Sequence, residues 1–115
     1  DLGRVTPHVV RSLADCDALL LECNHDPAML AAGPYPDALK RRVGGDWGHL
    51  SNPQSAGLLQ ALPQARLQRL VLTHLSEHNN TPLLARAAAC EALQQDPAWC
   101  VCADQDRPSP WLELA

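Results

Sequence analysis

Hydrophobic positions in this chain fall into short unbroken runs and longer helix-spaced sets, punctuated by proline, glycine and asparagine. Ala18-Leu19-Leu20-Leu21 lies between Asp17 and Asn24, and Leu70-Val71-Leu72 lies just before a polar cluster. Runs of that length with those boundaries predict buried strands over residues 17–23 and 68–73. Helix starts are marked by Thr-Pro, Asp-Pro and Ser-Asn-Pro steps, because a short polar side chain caps the first turn and proline fits its first position. Thr6-Pro7, followed by Val9, Val10 and Leu13, predicts a short helix over 7–14. Asp26-Pro27 predicts a single helical turn through Leu30, and Gly33-Pro34-Tyr35-Pro36 a loop. A further helix runs from Asp37 to Val43 and is stopped by Gly44-Gly45. Ser51 or Asn52 caps the next, with Ala56, Leu59 and Leu62 on one face, Leu58 widening it and Pro63 ending it. Thr81-Pro82 opens the longest helix, which runs to Gln94. Leu84, Ala87, Ala88 and Glu91 lie near one line of it, and Leu83, Ala87 and Cys90 near another. Trp99 to Ala103 reads as a strand, and Trp111 to Leu114 as a short edge strand approached through Pro108 and Pro110. Strands alternating with helices predict an α/β layer structure.

The length, 115 residues, suits a single domain over 1–115 with one core. Aromatic residues make up 3% and phenylalanine is absent, so leucine, alanine and valine must build that core. A net charge of −4 offers no broad basic footprint for nucleic acid. Lys40, Arg41 and Arg42 form the one basic cluster, which reads as a solvated helix end. The five cysteines are odd in number, and Cys100-Val101-Cys102 lacks zinc-knuckle spacing. They are expected to be reduced, mostly buried thiols in a cytoplasmic protein. No apolar run is long enough to cross a membrane, and no signal peptide is recognisable. The chain opens on Asp1-Leu2-Gly3 without an initiator methionine, so it is expected to be a piece of a longer protein.

Three polar clusters carry candidate chemistry, each at a junction between elements. Glu22-Cys23-Asn24-His25-Asp26 and His74-Leu75-Ser76-Glu77-His78-Asn79-Asn80 leave predicted strands, and Gly48-His49-Leu50-Ser51-Asn52 enters a helix. Loops leaving buried strands hold side chains rigidly at a crevice, where metal ligands and proton-transfer groups are commonly placed. Asp1 and His74 suit zinc or manganese, and Glu22 with His49 makes a carboxylate–histidine pair able to protonate a leaving group. Singly, each has an ordinary reading: Glu22 as an ion-pair partner, Asp26 as a helix cap, Asn79 and Asn80 as turn formers. His8 and His78 are assigned to solvent. A phosphate-binding glycine loop and a nucleophile elbow are both missing.

The order of these motifs is more specific than any one of them. Asp-x-Gly, Glu-x-Asn-His-Asp, Gly-His-Leu-Ser-Asn and Leu-Thr-His-Leu-Ser-x-x-Asn-Asn follow one another over nearly the whole chain. The pattern resembles the C-terminal half of a metallo-β-lactamase-fold hydrolase, in the small bacterial branch of exonuclease-like and phosphoribosyl cyclic phosphodiesterase-like members. The resemblance implies an α/β half of an αββα sandwich, one sheet covered by helices on one face. It implies two divalent ions, zinc or manganese, that lower the pKa of water and neutralise phosphoryl charge. By position, Asp1 matches the aspartate bridging the ions and His74 the last histidine ligand. His49 matches a histidine that stabilises or protonates the transferring phosphate, with Glu22 as its acidic neighbour. Asn24, His25, Asp26, Asn79 and Asn80 belong to the same motifs and are expected to shape the pocket floor or orient the ligands.

The family's defining His-x-His-x-Asp-His motif is absent, since no two of His8, His25, His49, His74 and His78 are separated by one residue. Two ligands cannot close a catalytic site that normally uses three protein ligands per ion. The expectation is a fragment of a binuclear phosphodiester hydrolase, inactive alone, acting on nucleic acid or a cyclic phosphate when complete. A half-sandwich leaves apolar surface on the order of several hundred Å² exposed, so pairing with the missing N-terminal half, or with itself, is expected. Two rival readings stay open: a non-catalytic α/β interaction module with structural histidines, and a metal-dependent lactone or thioester hydrolase.

Overall fold

The computed structural model describes residues 1–115. Helices α1 (Pro7–Leu13), α2 (Pro27–Ala32), α3 (Asp37–Gly44), α4 (Asn52–Ala61) and α5 (Pro82–Leu93) accompany three strands. These are β1 (Ala18–Glu22), β2 (Arg69–Thr73) and β3 (Val101–Cys102). Four helices start as their sequences dictate, with a side-chain oxygen taking a first-turn N–H: Thr6 from Val9, Asp26 from Met29, Ser51 from Gln54 and Thr81 from Leu84. At α4 the Gln54 side chain returns a bond to the Ser51 N–H, completing a capping box.

The strands are all parallel, in the order β1-β2-β3. Leu19 pairs with Leu70 and Leu21 with Leu72, which places all four on one face under α4 and α5. Leu50, Leu58, Leu59, Ala85, Ala89 and Leu93 complete the core on that side. The opposite face carries Leu20, Val71 and Val101, and Leu20 is 69% exposed. This is an α/β fold with one covered and one open sheet face, the arrangement expected of half an α/β sandwich. Because the strands are parallel, their carboxyl ends share one edge, and the loops after β1, β2 and β3 gather there.

Several expectations need correction. The third strand is only Val101–Cys102, because Pro97–Trp99 forms a single 3₁₀ turn capped by Asp96. Trp111 to Leu114 is not a strand. The tail instead runs back along the open face, tied at one end by Gln105 to the Leu75 carbonyl and at the other by Ala115 to Gln68. With Leu20 and Val71 it bounds a cleft of about 730 Å³. On α5 the buried line is Ala85, Ala89, Cys90 and Leu93, while Leu83 is 76% exposed. Alanines let α5 approach α4 closely, and that contact outweighs the larger leucines in choosing the face. Cys90 and Cys100 are paired as a disulfide, so only Cys16, Cys23 and Cys102 remain thiols. The turn at Pro97–Trp99 folds the chain back and sets the last turn of α5 beside the start of β3.

Leu58 is fully buried at the α4–sheet contact. Leu58→Ala is expected to cost about 2–5 kcal/mol of stability by urea titration. A loss below about 0.5 kcal/mol, the range of a surface change, would place it outside the core.

Candidate functional site

The site is built by extending the sheet past its formal end. Beyond Glu22 the chain keeps going straight: Cys23 N–H bonds the Thr73 carbonyl, and Asn24 N–H bonds the Leu50 carbonyl. Asn52 N–H then bonds the His25 carbonyl, with a parallel bridge between His25 and Ser51. Residues 49–52 are thus zipped alongside residues 22–25, which carries His49 to Glu22. His49 Nδ1 hydrogen-bonds Glu22 Oε1. The Leu2 N–H donates to the other carboxylate oxygen at 2.8 Å and brings Asp1 over the same spot.

Two glycines make this approach feasible. A Cβ on Gly3, whose φ is +62°, would meet the Asp46 carbonyl oxygen at 2.1 Å, and one on Gly48 would meet the Arg42 and Val43 carbonyls at 2.2 Å. The leading segment can lie against the 46–48 turn only because Gly3 has no side chain, and that turn can lie against the end of α3 only because Gly48 has none.

His74 leaves β2 in the left-handed region, with φ 57°. Such a conformation costs on the order of 1–3 kcal/mol and persists when its surroundings hold it. Asn24 does so: its Nδ2 donates to the His74 carbonyl at 2.6 Å, and its own carbonyl accepts from Ser76 N–H at 2.8 Å. The turned backbone aims the imidazole at Asp1. Asp1 Oδ1 lies 3.3 Å from His74 Nδ1 and 3.3 Å from His49 Nδ1, and His74 Nδ1 lies 3.7 Å from Glu22 Oε1. One donor atom from each of Asp1, Glu22, His49 and His74 falls within 4.8 Å of the others. Two carboxylates and two imidazoles at that spacing are a donor set suited to a divalent cation.

The four differ in exposure. Glu22 is buried, His49 half-buried, and Asp1 and His74 open to solvent. Burial opposes the charged form of Glu22, yet bonds from Leu2, His49 and Leu50 outweigh it and hold the carboxyl below its ordinary range. His25 is pushed the other way. Burial, then the nearby His49, disfavours its protonation against the pull of Glu22 and Asp26.

Behind these groups lies a buried polar layer. Asn52 and Asn80 bond each other amide to amide at 2.8 and 2.9 Å, and Asn80 also donates to the Cys23 carbonyl at 2.9 Å. The Cys23 thiol donates to Asn52 at 3.1 Å. Its pKa is pushed up to about 12, chiefly by burial, so it stays protonated as that donor. Asn24 Oδ1 meets His25 Nδ1 at 3.1 Å, and Asn79 is fully buried against Ser76. Asp26 does something else: it caps α2 through the Met29 N–H.

The cluster opens into a cavity of about 730 Å³ at the carboxyl edge of the sheet. His49, His74, Asn24 and Asn79 line it. So do Tyr35 and His78, expected from the sequence only as a loop residue and a solvent residue; their rings stand edge to face, centroids 6.1 Å apart. A lone tyrosine between two prolines was the one available signal.

Two outcomes follow from this geometry. Gly3→Ala is expected to lift Asp1 from the two histidines and lower stability by at least about 1 kcal/mol; unchanged melting temperature and unchanged His49 and His74 imidazole resonances would contradict it. For Glu22, a folded-state pKa below the unfolded one means stability present above the unfolded value and lost as pH falls through the folded one. Glu22→Gln is therefore expected to melt below the wild type at neutral pH, the gap closing below about pH 4. A gap that stays constant from pH 7 to pH 3 would contradict that assignment.

No family model matches the chain. No solved structure matches it either. No helix is long and apolar enough to cross a membrane. Among curated proteins, it is 35% identical over 95 residues to the exodeoxyribonuclease WalJ of Streptococcus pneumoniae, covering 83% of this chain and 35% of that protein. It is 33% identical over 95 residues to the exodeoxyribonuclease YycJ of Bacillus anthracis, covering 83% of this chain and 36% of that one. The chain is thus similar to bacterial proteins named exodeoxyribonucleases and spans about a third of their length.

Proposed function

We propose that this chain is part of a binuclear metal-dependent hydrolase that cleaves phosphodiester bonds at DNA ends. In this reading Asp1 and His74 hold metal, while His49, oriented by Glu22, serves the leaving oxygen. The carrying observation is the Asp1 carboxylate oxygen standing 3.3 Å from both imidazoles. Two ligand atoms on one tetrahedral ion are about 3.4 Å apart, so the Asp1–His74 spacing suits a shared cation. The His49–Glu22 contact is a direct hydrogen bond and suits proton transfer instead. With Nδ1 facing Glu22, the Nε2 edge of His49 is the one free to meet a departing oxygen. The buried carboxylate fixes the ring's orientation through that bond, as a proton-transfer group requires.

Divalent ions, zinc or manganese, would supply Lewis acidity toward the phosphoryl oxygens and a more acidic water. A pair of ions needs more ligands than these, and the remainder would come from a further part of the protein that packs on this one. The chain alone is accordingly expected to bind metal weakly and to turn over nothing. The names of its relatives favour a DNA end over a cyclic phosphate or a lactone.

The test uses the full-length protein that contains this chain. Zinc or manganese is expected to bind stoichiometrically, and His74→Ala to weaken it at least 10-fold, by calorimetry. His49→Ala is expected to keep the metal and lose about 10²–10⁴ in kcat on a DNA end. If His74→Ala leaves metal affinity untouched, the histidines are structural and the interaction-module reading prevails. Cleavage of a lactone but not of a DNA end would move the protein to the other hydrolase class.

A further inference from the structure

The cavity beside the cluster has a composition that its proposed chemistry does not use. Its lining contains no lysine or arginine, while Glu77 and Asp104 both face it. Away from the metal cluster, a second phosphate entering here would meet like charge with no lysine or arginine to offset it. What this space accepts next to a reacting phosphate is therefore an uncharged group. The aromatic surface available to such a group is Tyr35, with Val43 and Leu75 as apolar neighbours.

Tyr35 is held in place from three sides. Pro34 and Pro36 restrict its backbone. The loop rests on the fully buried Asn79, whose Oδ1 would lie 2.7 Å from any Cβ at Gly33, so only glycine lets the loop sit this close. The His78 ring meets the Tyr35 ring edge to face at 66° and braces it, and both rings line the cavity. A half-buried, pre-positioned ring is a stacking surface that loses little entropy on binding.

From this we propose that Tyr35, braced by His78, is the stacking platform for the nucleobase of the terminal nucleotide of a DNA strand whose phosphodiester meets the Asp1–His74 cluster. The proposal rests on the phosphodiesterase reading for its orientation, but its own content is base recognition. Stacking contacts every base through its π face, so the platform is tolerant of sequence. With no lysine or arginine lining this cavity, this part of the protein takes hold of the base and not of the backbone beyond it.

The experiment compares wild type, Tyr35→Ala and Tyr35→Phe of the full-length metal-loaded protein. Substrates are a single-stranded oligodeoxynucleotide and the same strand with an abasic terminal residue. Tyr35→Ala is expected to raise KM for the normal strand roughly 5- to 150-fold, with kcat and metal affinity kept. Tyr35→Phe is expected to restore KM, since the ring and not the hydroxyl stacks. On the abasic strand, wild type and Tyr35→Ala are expected to be equally weak. A KM penalty of equal size on both strands, or none on either, overturns the platform. Equilibrium binding of deoxyadenosine monophosphate and of deoxyribose 5-phosphate separates the two ideas. If the nucleotide binds more tightly and Tyr35→Ala abolishes that preference, the platform stands even when no strand is cleaved, and only the reaction fails. If the two ligands bind alike to the wild type, the platform fails whatever the cleavage assay gives.

Discussion

A carboxylate taken out of water must be satisfied by the protein, and Glu22 is almost wholly removed from solvent. Its three partners come from two separate stretches of chain: the Leu2 N–H from one, and the His49 ring and the Leu50 N–H from the other. Meeting that demand brings the leading segment, the end of β1 and the approach to α4 to one point. Removing any one partner would leave a buried charge partly unpaired, a cost of several kcal/mol. The arrangement of the candidate site is therefore a consequence of burying one acid, and Asp1 and His49 arrive as part of that settlement.

The second support is the parallel sheet. Parallel strands put their carboxyl ends on one edge, so the loops after β1 and β2 are neighbours without further instruction. The Asn52–Asn80 amide pair and the Cys23 thiol then fill the space beneath with groups that satisfy one another. An amide pair and a thiol bonded to one another in this way are rigid. Rigidity matters here because His74 sits in a backbone conformation that only its surroundings maintain, through Asn24. The open sheet face is the counterpart of this order: one side of the sheet carries the core, and the other carries Leu20, still largely exposed between α1 and the C-terminal tail.

Much of this was written locally. Proline after a capping residue set the starts of α1, α2, α4 and α5, because both features act within one turn. Short apolar runs set β1 and β2, because a buried strand needs nothing but continuous hydrophobic residues. The junction positions of Glu22, His49 and His74 singled them out as candidates by the same local reasoning. Asp26 shows its limit, since a helix cap and a site residue look alike in one dimension, and here the residue caps α2.

Tertiary structure decided what depends on which surfaces meet. Ala85 and Ala89, not Leu83 and Leu84, face inward on α5, because the close contact with α4 selects small side chains there and no periodicity encodes that contact. The pairing of Cys90 with Cys100 follows from a turn that reverses the chain. The 111–114 segment lies over a sheet face where its composition suggests a strand, because ladder bonds need a free edge in register. Tyr35 and His78, 43 positions apart by their numbering, share one cavity only after α2, α3 and the β2 loop are packed. The sequence by itself determined the elements and the chemistry each junction carries; the fold alone determined which side chains stand within bonding distance, because that is a property of packed surfaces and not of neighbouring residues.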